Sequence, residues 1–251
     1  MDITAYLEHI NYEGVIEPSP EELSSLQYAN LLSVPFENLD IHLGRPILLN
    51  NEHLFRKIVT QRRGGFCYEL NGLFATILQE LGFKVDLLSV EVVGNGGYSP
   101  KFDHLALRVQ LEDDWLVDVG FGDSFVKPLK LFESNEQVQK GIPYRVEHKS
   151  KDWVLSRKDA SGEWERTYRF NLEPRKLSDF KERCHYHQTS PESQFTQKRL
   201  CTRLTQDGRI TLRDHGLIVT KNKQRSETPI VDDTAYIAAL DKYFGIRLPA
   251  F

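Results

Sequence analysis

Cys67 sits in the segment Arg63-Gly64-Gly65-Phe66-Cys67-Tyr68-Glu69-Leu70-Asn71-Gly72, between a pair of glycines and a strongly patterned stretch. Leu70, Leu73, Phe74, Ile77, Leu78 and Leu81 recur at the helical period, and Gly82 follows where a C-terminal cap belongs. The thiol is therefore expected at a helix N-terminus. Unpaired backbone N–H groups and the positive end of the helix dipole favour a thiolate there, and a thiolate is the nucleophile. Gly64 and Gly65 let another group approach the backbone closely. Position alone fits a small buried hydrophobe better than a catalyst, so the chemistry depends on finding a base.

His104 and Asp118 are the candidates, because a thiol nucleophile needs a base and a third group that fixes the base's tautomer. In the strand pattern His104-Leu105-Ala106-Leu107-Arg108-Val109, Leu105, Leu107 and Val109 take one face and His104 the other. Asp118 alternates with Val117 and Val119, and a carboxylate embedded in an apolar strand is costly without a partner. Both residues are even-numbered, so a pairing keeps them on one face. A tight turn centred on Asp113, however, sets His104 opposite residue 122 and leaves Asp118 roughly 13 Å away at strand rise. Bringing them together requires a turn centred nearer Leu111, a bulge or strand shear.

Cys184-His185-Tyr186-His187 would place both histidines on one strand face, but no further ligand follows at metal-site spacing, so no metal is expected. Arg62-Arg63 reads as a brace for the thiol loop, one arginine being held by Glu37 or Asp40. Neither phosphate-loop fingerprint occurs, and Gly94-Asn95-Gly96-Gly97 reads as a turn.

The elements that must position these residues follow three patterns. Residues 2 to 12, a capped helix from Ser19-Pro20-Glu21-Glu22 that breaks at Pro35, and residues 51 to 60 make the first third helical. Alternating β-branched runs at 85 to 93, 104 to 111 and 115 to 121, then 144 to 149, 152 to 158 and 163 to 170, make the middle third a sheet or barrel. Asp207-Gly208 marks a hairpin between 198 to 205 and 209 to 213; a strand at Leu217 to Thr220 and a helix capped by Asp232 or Asp233 and closed by Gly245 complete a mixed last third.

The chain has 251 residues, ample for one large core or for subdomains sharing one. Its formal charge of -4, from 32 basic and 36 acidic residues, gives no electrostatic reason to expect nucleic acid or an anionic membrane as partner. Residues 1 to 20 lack a signal-peptide pattern and no later run approaches transmembrane length, so a cytoplasmic location is expected. Cys67, Cys184 and Cys201 are an odd set without close spacing, which argues against a disulfide framework and suits a reducing compartment. No oligomeric state is assigned.

Several separated segments together resemble the arylamine N-acetyltransferases: Val34-Pro35-Phe36-Glu37-Asn38-Leu39, Arg63-Gly64-Gly65-Phe66-Cys67-Tyr68-Glu69-Leu70-Asn71, His104-Leu105, Asp118-Val119-Gly120-Phe121-Gly122 and Thr189-Ser190-Pro191-Glu192-Ser193-Gln194-Phe195. The resemblance implies an α+β fold with a cysteine-protease-like Cys-His-Asp core: a helical bundle over residues 1–83, an antiparallel β-barrel over 84–190 and an α/β lid over 191–251. It implies Cys67 as nucleophile, His104 as base and Asp118 as orienting carboxylate. The implied reaction is ping-pong: acetyl-CoA acylates the cysteine, and an aromatic amine or hydrazine, often a xenobiotic, removes the acetyl group. Phe36, Phe121 and Phe125 are then the expected acceptor wall, Gly120 and Ser190 the expected coenzyme A contacts, and Arg63 with Glu37 the brace. Transglutaminase-like or cysteine-peptidase-like acyl transfer, a family amide synthase acting on a long acyl chain, and a binder without catalysis remain open alternatives.

Overall fold

The computed structural model describes residues 1–14, 17–94 and 96–248, so Asn95 of the expected glycine-rich turn lies outside them. The first helix, α1, is Ile3–His9; α2, Pro20–Ser33, starts with Ser19 Oγ accepting the Glu22 N–H and proline at its first position. Pro35 ends it, and the chain passes through the short strand β1, Phe36–Glu37, and α3, Leu39–His42. Helix α4, Asn51–Phe55, runs into a π-helical turn at Arg56–Thr60 before α5, Cys67–Glu80, whose apolar stripe is buried throughout.

The middle of the chain is an antiparallel sheet built from β2 (Lys84–Gly94), β3 (Gly97–Tyr98), β4 (His104–Gln110), β5 (Asp114–Val117), β6 (Leu129–Lys130), β7 (Gln137–Gln139), β8 (Ile142–Lys149), β9 (Asp152–Lys158) and β10 (Trp164–Phe170). Its order is β6-β5-β4-β2-β10-β9-β8-β7, with β3 hairpinned onto β2. The sheet curls until β6 and β7 meet through a side chain: Gln137 Oε1 accepts the Lys130 N–H at 2.8 Å and Gln137 Nε2 donates to the Lys130 carbonyl at 2.9 Å. One amide thus imitates a ladder pair and nearly closes the barrel.

Alternation in β4 decides which core each side chain joins. Leu105, Leu107 and Val109 pack with α5 in the helical core, whereas Ala106 joins Leu88, Leu116 and Tyr168 inside the barrel. After α6 (Lys181–Thr189) and α7 (Gln194–Gln197), the strands β11 (Leu200–Thr205), β12 (Gly208–Arg213), β13 (Gly216–Lys221) and β14 (Gln224–Pro229) form a second antiparallel sheet. Helix α8, Asp233–Phe244, covers it, capped by Asp232 and closed by Gly245 in the left-handed region. Strand β1 joins this sheet beside β11, pairing Phe36 with Thr202, and also bridges Gly65 of the thiol loop, so one short strand links the last sheet to that loop. Phe180 and Cys184, in the stretch expected to belong to the barrel, pack in the helical core.

Two local expectations are corrected. The strand expected at 115 to 121 ends at Val117, because Asp118 and the residues after it hydrogen-bond to α5 rather than to a neighbouring strand. The strand expected around His185 and His187 is helix α6, in which residues two apart point in different directions: His185 is exposed and His187 buried. No described helix is long and apolar enough to cross a membrane.

Candidate active site

Cys67 is the first residue of α5, and the loop before it is held from both sides. The Glu37 N–H donates to the Gly65 carbonyl at 2.9 Å, and the Glu69 carboxylate accepts the Phe66 N–H at 3.1 Å, satisfying a donor that the helix start leaves free. A Cβ on Gly64 would lie 2.0 Å from the Pro35 carbonyl oxygen, so only glycine permits this approach of the two segments. Beneath the loop lies a buried ionic cluster. Arg63 Nη2 meets Glu37 at 2.7 Å and Asp40 at 3.0 Å, while Lys57 Nζ meets Asp40 at 2.9 Å and Glu69 at 2.8 Å. Glu37 Oε2 also accepts the Leu39 N–H at 2.7 Å. The cluster ties Arg63, immediately before the thiol loop's glycines, to Glu69, two places after the thiol.

Burial pushes the Cys67 thiol well above its ordinary range, a hydrogen bond with the Leu105 backbone pulls it partly back, and Cys184, Asp118 and Asp103 push it up further. The expected gain from the helix terminus is thus outweighed by desolvation. A thiolate forms here only if its proton has a nearby acceptor.

His104 opens β4 and lines the same cleft as Cys67. Its Nε2 lies 2.7 Å from Asp118 Oδ2, and this bond leaves Nδ1 as the nitrogen available to take a proton. The ladder pairs Gln110 with Asp114 and Leu107 with Val117, so the turn centres on Glu112 and Asp118 falls opposite Ala106. His104 and Asp118 are consequently diagonal neighbours on one face, a separation of about 7–8 Å that the two side chains bridge.

Asp118 is 2% exposed and its carboxylate is fully engaged. Oδ1 accepts from Asn71 Nδ2 and from the Gly120 N–H, each at 2.9 Å; Oδ2 accepts from His104 and, at 3.4 Å, from the Tyr168 hydroxyl. Asn71, one turn after Cys67 on α5, also donates to the Leu105 carbonyl at 2.7 Å and accepts the Val119 N–H at 2.9 Å. One amide therefore fixes the thiol helix, the histidine strand and the aspartate loop relative to one another. Asn71 and Tyr168 were not singled out from sequence; the signal for Asn71 was a polar residue four places after the thiol on a buried helix.

The cleft has a volume of about 510 Å³ and is lined by Cys67, His104 and Gly120 together with the aromatic side chains of Phe36, Phe121 and Phe195. The Phe121 ring meets His104 edge-on at 5.2 Å. Phe125 does not line it: the side chain is 2% exposed and packs against Tyr144 inside the barrel, so it is removed from the acceptor wall. The turn after Gly122 carries the chain back into the barrel, which sequence periodicity did not reveal. Ser190 is likewise outside the cleft lining, its Oγ accepting the Glu192 N–H, whereas Ser193 lines it. A Cβ on Gly120 would lie 2.8 Å from Cys67 Cα and 2.6 Å from Asn71 Nδ2, so glycine lets the aspartate loop close on the thiol helix. Among the described residues no group of His, Cys, Asp and Glu is arranged to hold a metal ion.

A family model described as N-acetyltransferase matches residues 20–251. An arylamine N-acetyltransferase of Mycolicibacterium smegmatis is 35% identical over 256 residues, covering 99% of this chain and 93% of the relative. Among solved structures, the arylamine N-acetyltransferase from Salmonella typhimurium superposes with a TM-score of 0.92 at 30% identity, covering 97% of this chain and 90% of that one. The Mycobacterium marinum arylamine N-acetyltransferase, solved in complex with CoA, superposes at 0.90 with 32% identity, covering 98% and 93%.

Proposed function

The chain belongs to the arylamine N-acetyltransferase family, and from that premise we propose that Cys67 carries an acetyl group from acetyl-CoA to an aromatic amine or hydrazine. The observation that carries the residue assignment is the convergence of Cys67 and His104 on one cleft, with Asp118 held behind the imidazole at 2.7 Å.

His104 Nδ1 takes the thiol proton, and Asp118 stabilises the imidazolium through Nε2. The Cys67 thiolate attacks the thioester carbonyl, and the Cys67 backbone N–H, in the first turn of α5 where helices leave N–H groups free, stabilises the developing oxyanion. The C–S bond to coenzyme A breaks and the imidazolium returns its proton to the departing thiolate. In the second half, the amine nitrogen attacks the acetyl-cysteine, His104 accepts the nitrogen's proton, and the amide leaves Cys67 as a thiolate beside the imidazolium. Because burial holds the thiol proton tightly, acylation depends on His104 to take it, and deacylation depends on His104 to take the amine's proton. Phe36, Phe121 and Phe195 suit a flat aromatic acceptor. Gly120 takes part as backbone that must stay close to Cys67, and Ser190, outside the cleft lining, is withdrawn as a coenzyme A contact.

The test is the mass of the protein after exposure to acetyl-CoA alone. A single acetyl increment on Cys67, discharged by an aromatic amine and missing in Cys67→Ser, is expected. An unmodified wild type, or an active Cys67→Ser protein, rejects the assignment.

A further inference from the structure

Asp103 and His104 are neighbours in the chain, yet each belongs to a different histidine–carboxylate pair facing the same cleft. Asp103 Oδ1 lies 3.0 Å from His187 Nε2 on α6, and the other ring nitrogen of His187, Nδ1, lies 3.0 Å from Ser193 Oγ. With Nε2–H donated to the carboxylate, Nδ1 is an acceptor and the Ser193 hydroxyl donates to it. The result is a carboxylate–imidazole–hydroxyl series whose serine is among the residues lining the cleft that holds Cys67.

The series is built rather than incidental. His187 is 6% exposed and Ser193 2% exposed, and the Ser193 oxygen is oriented further by the Phe195 N–H at 3.3 Å. Around the imidazole stand the rings of Tyr68, Tyr186 and Phe195, and Arg183 grips Asp103 through Nε at 2.7 Å. Burial raises the Asp103 carboxyl, but hydrogen bonds from His187 and Arg183 outweigh it and hold the group down at about 2, so the carboxylate is charged at any working pH. Among the described residues lining the cleft are two carboxylates, Asp103 and Glu192, and one guanidinium, that of Arg183, together with Cys67 and His104.

Acetyl transfer to an aromatic amine makes no use of a second base, because that amine arrives neutral and loses one proton, which His104 accepts. A more basic amine arrives as an ammonium ion. It must lose one proton before its lone pair exists and another as it attacks. We infer that the Asp103–His187–Ser193 series takes the first of these protons, so that the cleft acetylates primary alkylammonium acceptors as well as weakly basic aromatic amines. The inference rests on acetyl transfer through Cys67 and adds an acceptor class to it.

The protons balance. The ammonium N–H passes its proton to Ser193 Oγ as the Ser193 proton passes to His187 Nδ1, giving a free amine, a neutral serine and an imidazolium bonded to the Asp103 carboxylate. The amine then attacks the thioester, the N–C bond forms, the C–S bond breaks, and the second proton goes to His104 beside the Cys67 thiolate. His187 returns its proton to water at the open mouth of the cleft.

Benzylamine and 4-methylaniline are isomers of similar size, the first an ammonium ion and the second a neutral amine at neutral pH. The full chain is acetylated with acetyl-CoA, the increment on Cys67 is confirmed by mass, and its discharge by each isomer is timed. Wild type is expected to discharge to both. His187→Gln keeps hydrogen-bonding groups for both neighbours but takes no proton, and should lower the benzylamine rate about a hundredfold more than the 4-methylaniline rate. That gap should close as the pH rises and free benzylamine predominates. Ser193→Ala should reproduce the selective loss and Ser193→Thr reverse it, which carries the test if His187→Gln does not fold. Discharge by 4-methylaniline but not by benzylamine in wild type, or an equal fall for both amines at every pH, overturns the inference while leaving acetyl transfer intact; failure of acetylation itself overturns both.

Discussion

Asp118 lies one residue past the last ladder pair, Leu107 with Val117, and its carboxylate closes on His104, one diagonal step along that register, at 2.7 Å. The reach is possible because β5 stops at Val117 and the next residues turn toward α5, where Asn71 and the Gly120 N–H hold the other carboxylate oxygen. Orientation of the imidazole is therefore set by the thiol's own helix. Asp118→Asn preserves volume but presents an amide to donors that require an acceptor. We expect its acylation by acetyl-CoA, followed as CoA release, to fall on the order of 10³–10⁴-fold, and a loss under tenfold would show that the diagonal bond does not govern His104.

Gly120→Ala tests the approach of the aspartate loop to the nucleophile. The added Cβ would sit 2.8 Å from Cys67 Cα and 3.1 Å from its carbonyl oxygen, contacts with backbone that cannot swing aside. The loop must retreat, carrying Asp118 and His104 away from the thiol. Overpacking of this kind destabilises by about 1–3 kcal/mol, while misplacement near 1 Å lowers the rate about a hundredfold. Acetyl-enzyme formation measured beside the urea midpoint should show rate loss exceeding what the stability change explains.

Periodicity made the helix behind Cys67 legible, and alternation gave His104 and Asp118 the same parity, although Asp118 lies one residue past the end of its strand. Register was not legible, because shifting the turn centre from Asp113 to Glu112 changes every cross-strand partner without altering which residues are apolar. Nor could alternation say that the strand stops at Val117, since the reason is a set of hydrogen bonds to Asn71 from a different element. Phe125 shows the same limit: an aromatic two residues beyond a glycine turn can face the cleft or the barrel, and packing against Tyr144 decides it. His187 was weighed only as a metal ligand on a strand, whereas the helix buries it between Asp103 and Ser193. Family resemblance supplied the link between His104 and Asp118 that residue patterns alone left open.

The ionic cluster under the thiol loop should be expensive to break. Glu37 is fully buried and bonds both Arg63 and the Leu39 N–H, so Glu37→Ala leaves a buried guanidinium whose remaining carboxylate partner among the described residues is Asp40. Removing one member of a buried pair costs about 3–5 kcal/mol. Chemical unfolding should register a loss in that range, and a change below about 1 kcal/mol would mean that water or Asp40 replaces Glu37 without strain.

Asp103 gives the chain an acid-sensitive increment of stability whose direction follows from its partners. Its carboxyl is held at about 2 against an ordinary 3.8 because hydrogen bonds from His187 and Arg183 outweigh the upward push of burial. The unfolded chain therefore binds the proton first as the pH falls. The increment is present in full above the ordinary carboxylate value and disappears as the pH drops from about 4 through about 2. Asp103→Asn should be less stable than wild type by about 2 kcal/mol at neutral pH, the free-energy equivalent of that shift, and the two should converge near pH 2. Urea midpoints for both proteins across this interval measure the difference directly. A gap that stays constant with pH would assign the loss to altered packing of the Arg183 and His187 side chains rather than to the charge on Asp103.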